Sequence, residues 1–179
     1  MARLTRERWI EEGIVVLRQD GPAALAADRM ARRLNVTRGS FYWHFDNALD
    51  FQACVLGEWE QRWTGRMVAT IAAAGASPKA RLHALIANTG SNDASVYASA
   101  KRMAADHPEL DALLAEVDQG RVELVAALLA DGGVPADLVL ARAQVIYAWA
   151  VGQMLIEGDR SKVPPPVAEA LVFFAFDGA

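Results

Sequence analysis

The sequence predicts an all-α protein: a short N-terminal group of three helices, then a larger helical body. Three observations carry that expectation. Apolar residues recur at spacings of three and four, never in the alternation of a half-buried strand. Helix-stop signals divide the chain at Asp20-Gly21-Pro22, at Gly75 to Pro78, at Asp106-His107-Pro108 and at Asp131 to Pro135. Hydrophobic residues make up 53% of the 179, enough to bury a sizeable core.

Residues 6–19 place Trp9, Ile10, Gly13, Ile14 and Leu17 on one stripe and Arg8, Glu11, Glu12 and Arg18 off it, an amphipathic helix. A second helix is expected over about Ala24 to Leu34. Asn35 and Val36 break it, and Thr37 suits an N-cap whose hydroxyl accepts from N–H groups two or three residues on. A helix of under two turns follows, Arg38 to His44. Asn47 and Asp50 resemble a capping box with Asp in place of Glu. They open a long helix to about Ala74, in which Phe51, Val55, Trp59, Trp63, Met67 and Ile71 recur every four residues. Ser77-Pro78 starts the next helix, since Pro is suited to a first helical position; it runs to about Thr89. "TGSND" interrupts the chain, and further helices end near Asp106 and Asp131. Ala136 to Glu157 is apolar nearly all round, which in a water-exposed protein means burial on several sides. "EGDRSKVPPP" reads as a rigid linker. The closing "LVFFAF" has strand propensity, but nothing else in the chain offers it a sheet, so a helix over about Val167 to Phe176 is expected.

Composition narrows the function classes. A single cysteine, Cys54, excludes an internal disulfide and a cysteine-cluster zinc site and suits a reducing cytoplasm. The N-terminus lacks the apolar core of a signal peptide, and no run of about 18 apolar residues suggests a membrane span. The three histidines, His44, His83 and His107, are scattered, so no metal site is expected. No nucleophile elbow, phosphate loop or dinucleotide fingerprint occurs, so no catalytic residue and no cofactor is assigned.

The net charge of −4 hides an asymmetry: residues 1–50 hold eight Arg against seven acids, and residues 29–45 hold Arg29, Arg32, Arg33 and Arg38 with no acid at all. Local charge governs contact with phosphate, because screening confines fields to roughly 8 Å at physiological salt. Two short helices after a longer one, joined by a tight break, match a helix-turn-helix, whose second short helix enters the major groove. On it Phe41 and Phe45 read inward with Leu34. Arg38 and Tyr42 share an outer stripe flanked by Ser40 and Trp43, and Gly39 keeps the helix start slim enough for close approach.

The segment "RMARRLNVTRGSFYWHF" resembles the recognition signature of TetR-family transcriptional regulators. The similarity extends over roughly Arg6 to Phe51 and includes Gly13 and Gly21. It implies a DNA-binding domain over residues 1–50 and a helical effector-binding and dimerisation domain over 51–179. Carried onto this sequence, it has Thr37 contact phosphate, Arg38 and Ser40 face bases, and Tyr42 and His44 contact phosphates at the far end of the helix. Arg29, Arg32, Arg33, Gly39 and Trp43 complete the DNA-facing set. Two departures remove expected phosphate contacts: Ala48 stands where the family commonly has Lys, and "ALAAD" opens the second helix in place of Thr.

The implied function is a cytoplasmic transcriptional repressor, released from a near-palindromic double-stranded operator by a small, mostly apolar effector. The candidate effector residues are Trp59, Trp63, Met67, His83, Tyr97, Met103, Tyr147 and Trp149, with His83 and Tyr97 as polar anchors. The last two helices carry more apolar surface than one subunit can bury, so a homodimer through them is expected. The long helix from Asn47 is expected to be the only physical link between the two domains. The alternative is a helical ligand-binding or protein-interaction module that no longer binds DNA, favoured by Ala48 and the acidic net charge.

Overall fold

The computed structural model of the chain describes residues 4–89, 94–157 and 163–177, and helices alone form its regular structure there. In order they are α1 (Arg6–Gln19), a single 3-10 turn (Pro22–Leu25), α2 (Ala27–Arg33), α3 (Arg38–Tyr42), α4 (Ala48–Ala73), α5 (Pro78–Ala87), α6 (Ala94–Ala104), α7 (Pro108–Asp131), α8 (Ala136–Glu157) and α9 (Pro165–Phe176). Parts of the "TGSND" break and of the "EGDRSKVPPP" linker lie outside the described residues. The one helix expected from Ala24 to Leu34 is two elements, because Ala26 is extended and separates the 3-10 turn from α2.

Local chemistry sets the helix starts. Thr5 Oγ1 accepts from Arg8 N at 3.3 Å and opens α1. Asn47 Oδ1 accepts from Asp50 N at 3.0 Å and opens α4, while Asp50 Oδ2 accepts from Asp46 N at 3.0 Å. The capping box therefore forms, displaced by one residue on its return bond. Thr37 occupies the N-cap of α3, but its hydroxyl makes no capping bond; the Thr37 carbonyl receives Ser40 N at 3.0 Å instead. Between α2 and α3, Asn35 adopts a positive φ of 54°, which Asn tolerates better than other residues with a Cβ. That residue makes the turn.

The rings of the N-terminal unit form its core. Trp9 meets Phe41 edge-on with centroids 5.5 Å apart, and Phe45 lies 4.7 Å from Phe51. Gly13 is where α1 crosses α4: a Cβ there would stand 2.5 Å from Val55 Cγ2 and 2.9 Å from Phe51 Cζ, so only glycine allows the approach. This core does not stop at residue 50. It continues through Val55, Trp59, Tyr97, Met103, Leu110 and Met154. A second core joins α5, α7, α8 and α9 through Leu82, Ile86, Leu129, Ala143, Ile146 and Ala168.

One sequence expectation is corrected here: α4 is not the only link between the parts, since α6 packs against both α1 and the 3-10 turn. The helix α8 is long and apolar enough to cross a membrane by length and composition alone. In the fold it lies against α6, α7 and α9, and Arg142 Nη1 donates to the Ala175 carbonyl at 3.0 Å. A single chain buries only part of it, leaving Leu140, Val145 and Ile156 exposed, and Phe173 on α9 is 63% exposed.

Candidate nucleic-acid interface and ligand cavity

The aromatic core fixes which side of α3 faces out. Phe41 and Phe45 are buried, and they turn Tyr42 and Trp43 outward, the latter 77% exposed. Thr37, Arg38 and Gly39 are exposed on the same end, with Ser40 and His44 half-buried beside them. The Arg38 guanidinium packs over the Tyr42 ring at 5.5 Å, Nη2 donates to the Tyr42 hydroxyl at 3.1 Å, and Nε pairs with Asp28 of α2 at 3.3 Å. The Tyr42 bond, then Asp28, hold its pKa above the usual range, so it stays charged. The side chain is 63% exposed, so these contacts orient it without withdrawing it. Arg29 and Arg32 are exposed on α2.

Arg33 is placed differently from the expectation. Its Nε donates to Glu12 at 2.6 Å, Nη1 to Asp20 at 3.1 Å and Nη2 to Gln19 at 3.1 Å. Two carboxylates of α1 and its C-cap neutralise it and make it a clasp between α1 and α2 rather than a phosphate ligand. The acid-free run 29–45 is thus acid-free in sequence only: Glu12, Asp20 and Asp28 reach it from outside.

In the helical body a cavity of about 180 Å³ lies between α4, α5, α7 and α8. Met67, Leu82, Ile86, Val125, Ile146 and Met154 form its apolar wall. Of the eight expected effector residues, Trp63, Met67 and Tyr147 line it. Trp59 and Tyr97 stand behind Trp63, with Trp59 5.1 Å and Tyr97 6.3 Å from its ring. His83, Met103 and Trp149 are not in the wall. Leu82, Leu85 and Ile86 are the face α5 turns to the cavity, and His83 falls off it. Met103 belongs to the first core, and Trp149 packs against the second.

At one end the wall is polar. Arg121 of α7 is 5% exposed, its guanidinium carbon 3.4 Å from the Trp63 ring centroid and 5.6 Å from that of Trp59. Next to it, Asp118 Oδ1 accepts from the Tyr147 hydroxyl at 2.6 Å and from the Tyr97 hydroxyl at 3.0 Å, and Oδ2 pairs with Lys101 at 2.7 Å. Burial, and then the neighbouring tyrosine and carboxylate, raise the Tyr97 hydroxyl far above its ordinary pKa; burial first also raises Tyr147, to about 12. Both therefore remain hydrogen-bond donors at neutral pH. Burial lowers the Arg121 pKa from its usual value. Sequence reasoning missed Arg121, Asp118 and Lys101. One signal was available: Leu114, Arg121, Val125 and Leu129 follow helical spacing, so Arg121 sits where α7 should present an apolar residue.

Comparisons with known proteins agree with this arrangement. Residues 10–47 match the family described as bacterial regulatory proteins, tetR family. Over 55 residues, 31% of the chain and 41% of the relative, the sequence is 38% identical to the uncharacterized HTH-type transcriptional regulator TtgW of Pseudomonas putida. The match thus spans less than half the length of that relative. The whole chain shares its fold with the Bacillus subtilis transcriptional regulator FadR, solved in complex with stearoyl-CoA: TM-score 0.75, 17% identity, 98% of this chain and 100% of that one. It shares it too with a transcriptional regulator of the TetR/AcrR family from Thermobifida fusca, at TM-score 0.66, 19% identity and 97% coverage of both chains. Residues 10–47, which include α3, thus carry the match to the tetR family of bacterial regulatory proteins, within a fold shared with a TetR/AcrR-family regulator.

Proposed function

We propose that the protein is a homodimeric, sequence-specific DNA-binding repressor that leaves its operator when a small effector fills the cavity. One observation carries the DNA-binding part: a short α3 whose rings are buried on one side, while Thr37, Arg38, Tyr42 and Trp43 stand exposed on the other. An oriented, charged guanidinium at the start of a groove-entering helix suits bidentate contact with guanine. Gly39 beside it adds no bulk. Residues 1–50 act as the reading head and 51–179 as the sensing and pairing body.

Control follows from two connections. α4 starts at Ala48, just after α3, and its Trp63 and Met67 line the cavity. α6 carries Tyr97, bonded to Asp118, and packs against α1 and the 3-10 turn. An effector that moves α4 or the Tyr97–Asp118 bond shifts the reading head along both routes. It acts only as far as it binds the off-DNA arrangement better, and about 1–3 kcal/mol is typical of such coupling. The B. subtilis neighbour's complex with stearoyl-CoA supports a ligand-binding body of this fold. The exposed apolar faces of α8 and α9 support pairing across a two-fold axis.

The test is fluorescence anisotropy of the full chain on the DNA upstream of its own gene, at several salt concentrations. Tight binding that Arg38→Ala weakens supports the reading. Equal affinity for that DNA and for a scrambled duplex contradicts it.

A further inference from the structure

We infer that the cavity is built for an anionic amphiphile: a carboxylate on an apolar body, with the Arg121 guanidinium as the group that reads the carboxylate. The inference rests on the effector reading above and adds the chemistry of the ligand's head.

The first support is a hydrogen-bond deficit. Arg121 is buried, yet its Nε and Nη2 have no hydrogen-bond partner. Buried donors of charged groups are ordinarily satisfied, and each exception asks for an explanation. These two atoms are the side edge of the guanidinium, the edge that meets the two oxygens of a carboxylate in parallel. Nη1, on the other side, is engaged, 3.5 Å from the Tyr147 hydroxyl and 3.8 Å from Asp118 Oδ1. Trp63 stacks on the face of the guanidinium at 3.4 Å, which fixes its plane without using an N–H.

The second support is charge. Asp118 is the carboxylate at hand, and Lys101 at 2.7 Å together with two tyrosine hydroxyls already satisfies it. Lys101, Arg121 and Asp118 therefore leave one positive charge over in a partly water-excluded place. The wall of the first cavity contains no Asp or Glu. A second cavity, of about 270 Å³, also borders Arg121 and carries Glu60 and Glu116, which repel an anion. The anion thus belongs in the first, where the body of the ligand meets Met67, Leu82, Ile86, Val125 and Ile146. Nε and Nη2 are closed to solvent, so an anion reaches them only as the wall gives way. That wall includes Trp63 of α4 and Tyr147 of α8, so seating the head displaces the elements that lead to the reading head.

The experiment uses the full chain and a panel of straight-chain carboxylates from hexanoate to decanoate, each paired with the alcohol of equal length. Binding is read by calorimetry and by tryptophan fluorescence. The bound carboxylate's ionisation is read from the shift of its carboxyl-¹³C label against pH. At least one carboxylate binds tenfold or more tighter than its alcohol, and its bound pKa falls. Arg121→Met lowers the carboxylate's affinity far more than the alcohol's and so removes that preference; Arg121→Lys, which keeps charge without the fork, recovers part of it. Thermal melting of both variants checks that they fold. Three results overturn the proposal: no carboxylate of the panel binding at millimolar concentration, acids and alcohols binding alike, or both variants losing acid and alcohol equally while folded. Operator binding without ligand is measured in parallel and reports on the DNA reading independently. A carboxylate that binds through Arg121 and leaves operator affinity untouched supports the site and contradicts its role as the effector site.

Discussion

Arg33 and Arg38 lie five residues apart in a run rich in arginine, and the structure gives them opposite tasks. Arg33 is taken up by Glu12, Asp20 and Gln19. Arg38 remains exposed and oriented by Tyr42 and Asp28. Arg38→Ala should therefore weaken operator binding by roughly 10- to 100-fold and relax preference at one base pair, read by anisotropy on operator variants. Arg33→Ala should lower the melting temperature and leave the salt dependence of DNA binding unchanged. Arg32→Ala should do the reverse, reducing the slope of log K against log salt by about 0.9 with little change in melting. Sequence alone could not separate the three arginines, since the acids that hold Arg33 and Arg38 come from α1, its C-cap and the start of α2. The fate of Phe41 and Phe45 against Tyr42 and Trp43 was legible, because helical spacing sorts faces without knowledge of partners.

At the scale of the element, helix starts and stops were legible because local chemistry makes them. Proline begins α5, α7 and α9, and Asn47 caps α4 as its side chain allows. What the sequence left out was contact across distance. The packing of α6 on α1 and the insertion of Arg121 among three rings depend on how helices lie together. The α1–α4 crossing gives a direct test. Gly13→Ala places a methyl against Val55 and Phe51, both fully buried. Overpacking of this kind costs typically about 1–3 kcal/mol, and chemical denaturation should show a loss in that range. Asn47→Ala removes the cap of α4 and should cost about 1 kcal/mol in the same assay. If Gly13→Ala is neutral, the tight crossing assigned to these helices is wrong.

For the whole molecule, the proposed working unit is a pair of chains. Leu140, Val145, Ile156 and Phe173 are exposed on the two last helices, the surface on which the proposed pairing rests. Phe173→Glu should turn a dimer into a monomer in sedimentation at micromolar concentration and weaken operator binding in parallel. A variant that stays dimeric would move the interface elsewhere. A two-fold dimer presents two copies of α3, so the DNA it prefers must carry the same symmetry. Selection of bound duplexes from a random DNA library by the full-length protein tests this most directly. The expected result is an enriched near-palindrome with half-site centres about one helical turn apart or slightly more, in which Arg38→Ala relaxes the preference at one base pair of each half-site. Enrichment of no sequence, or of the same sequence by the Arg38→Ala variant, would contradict it.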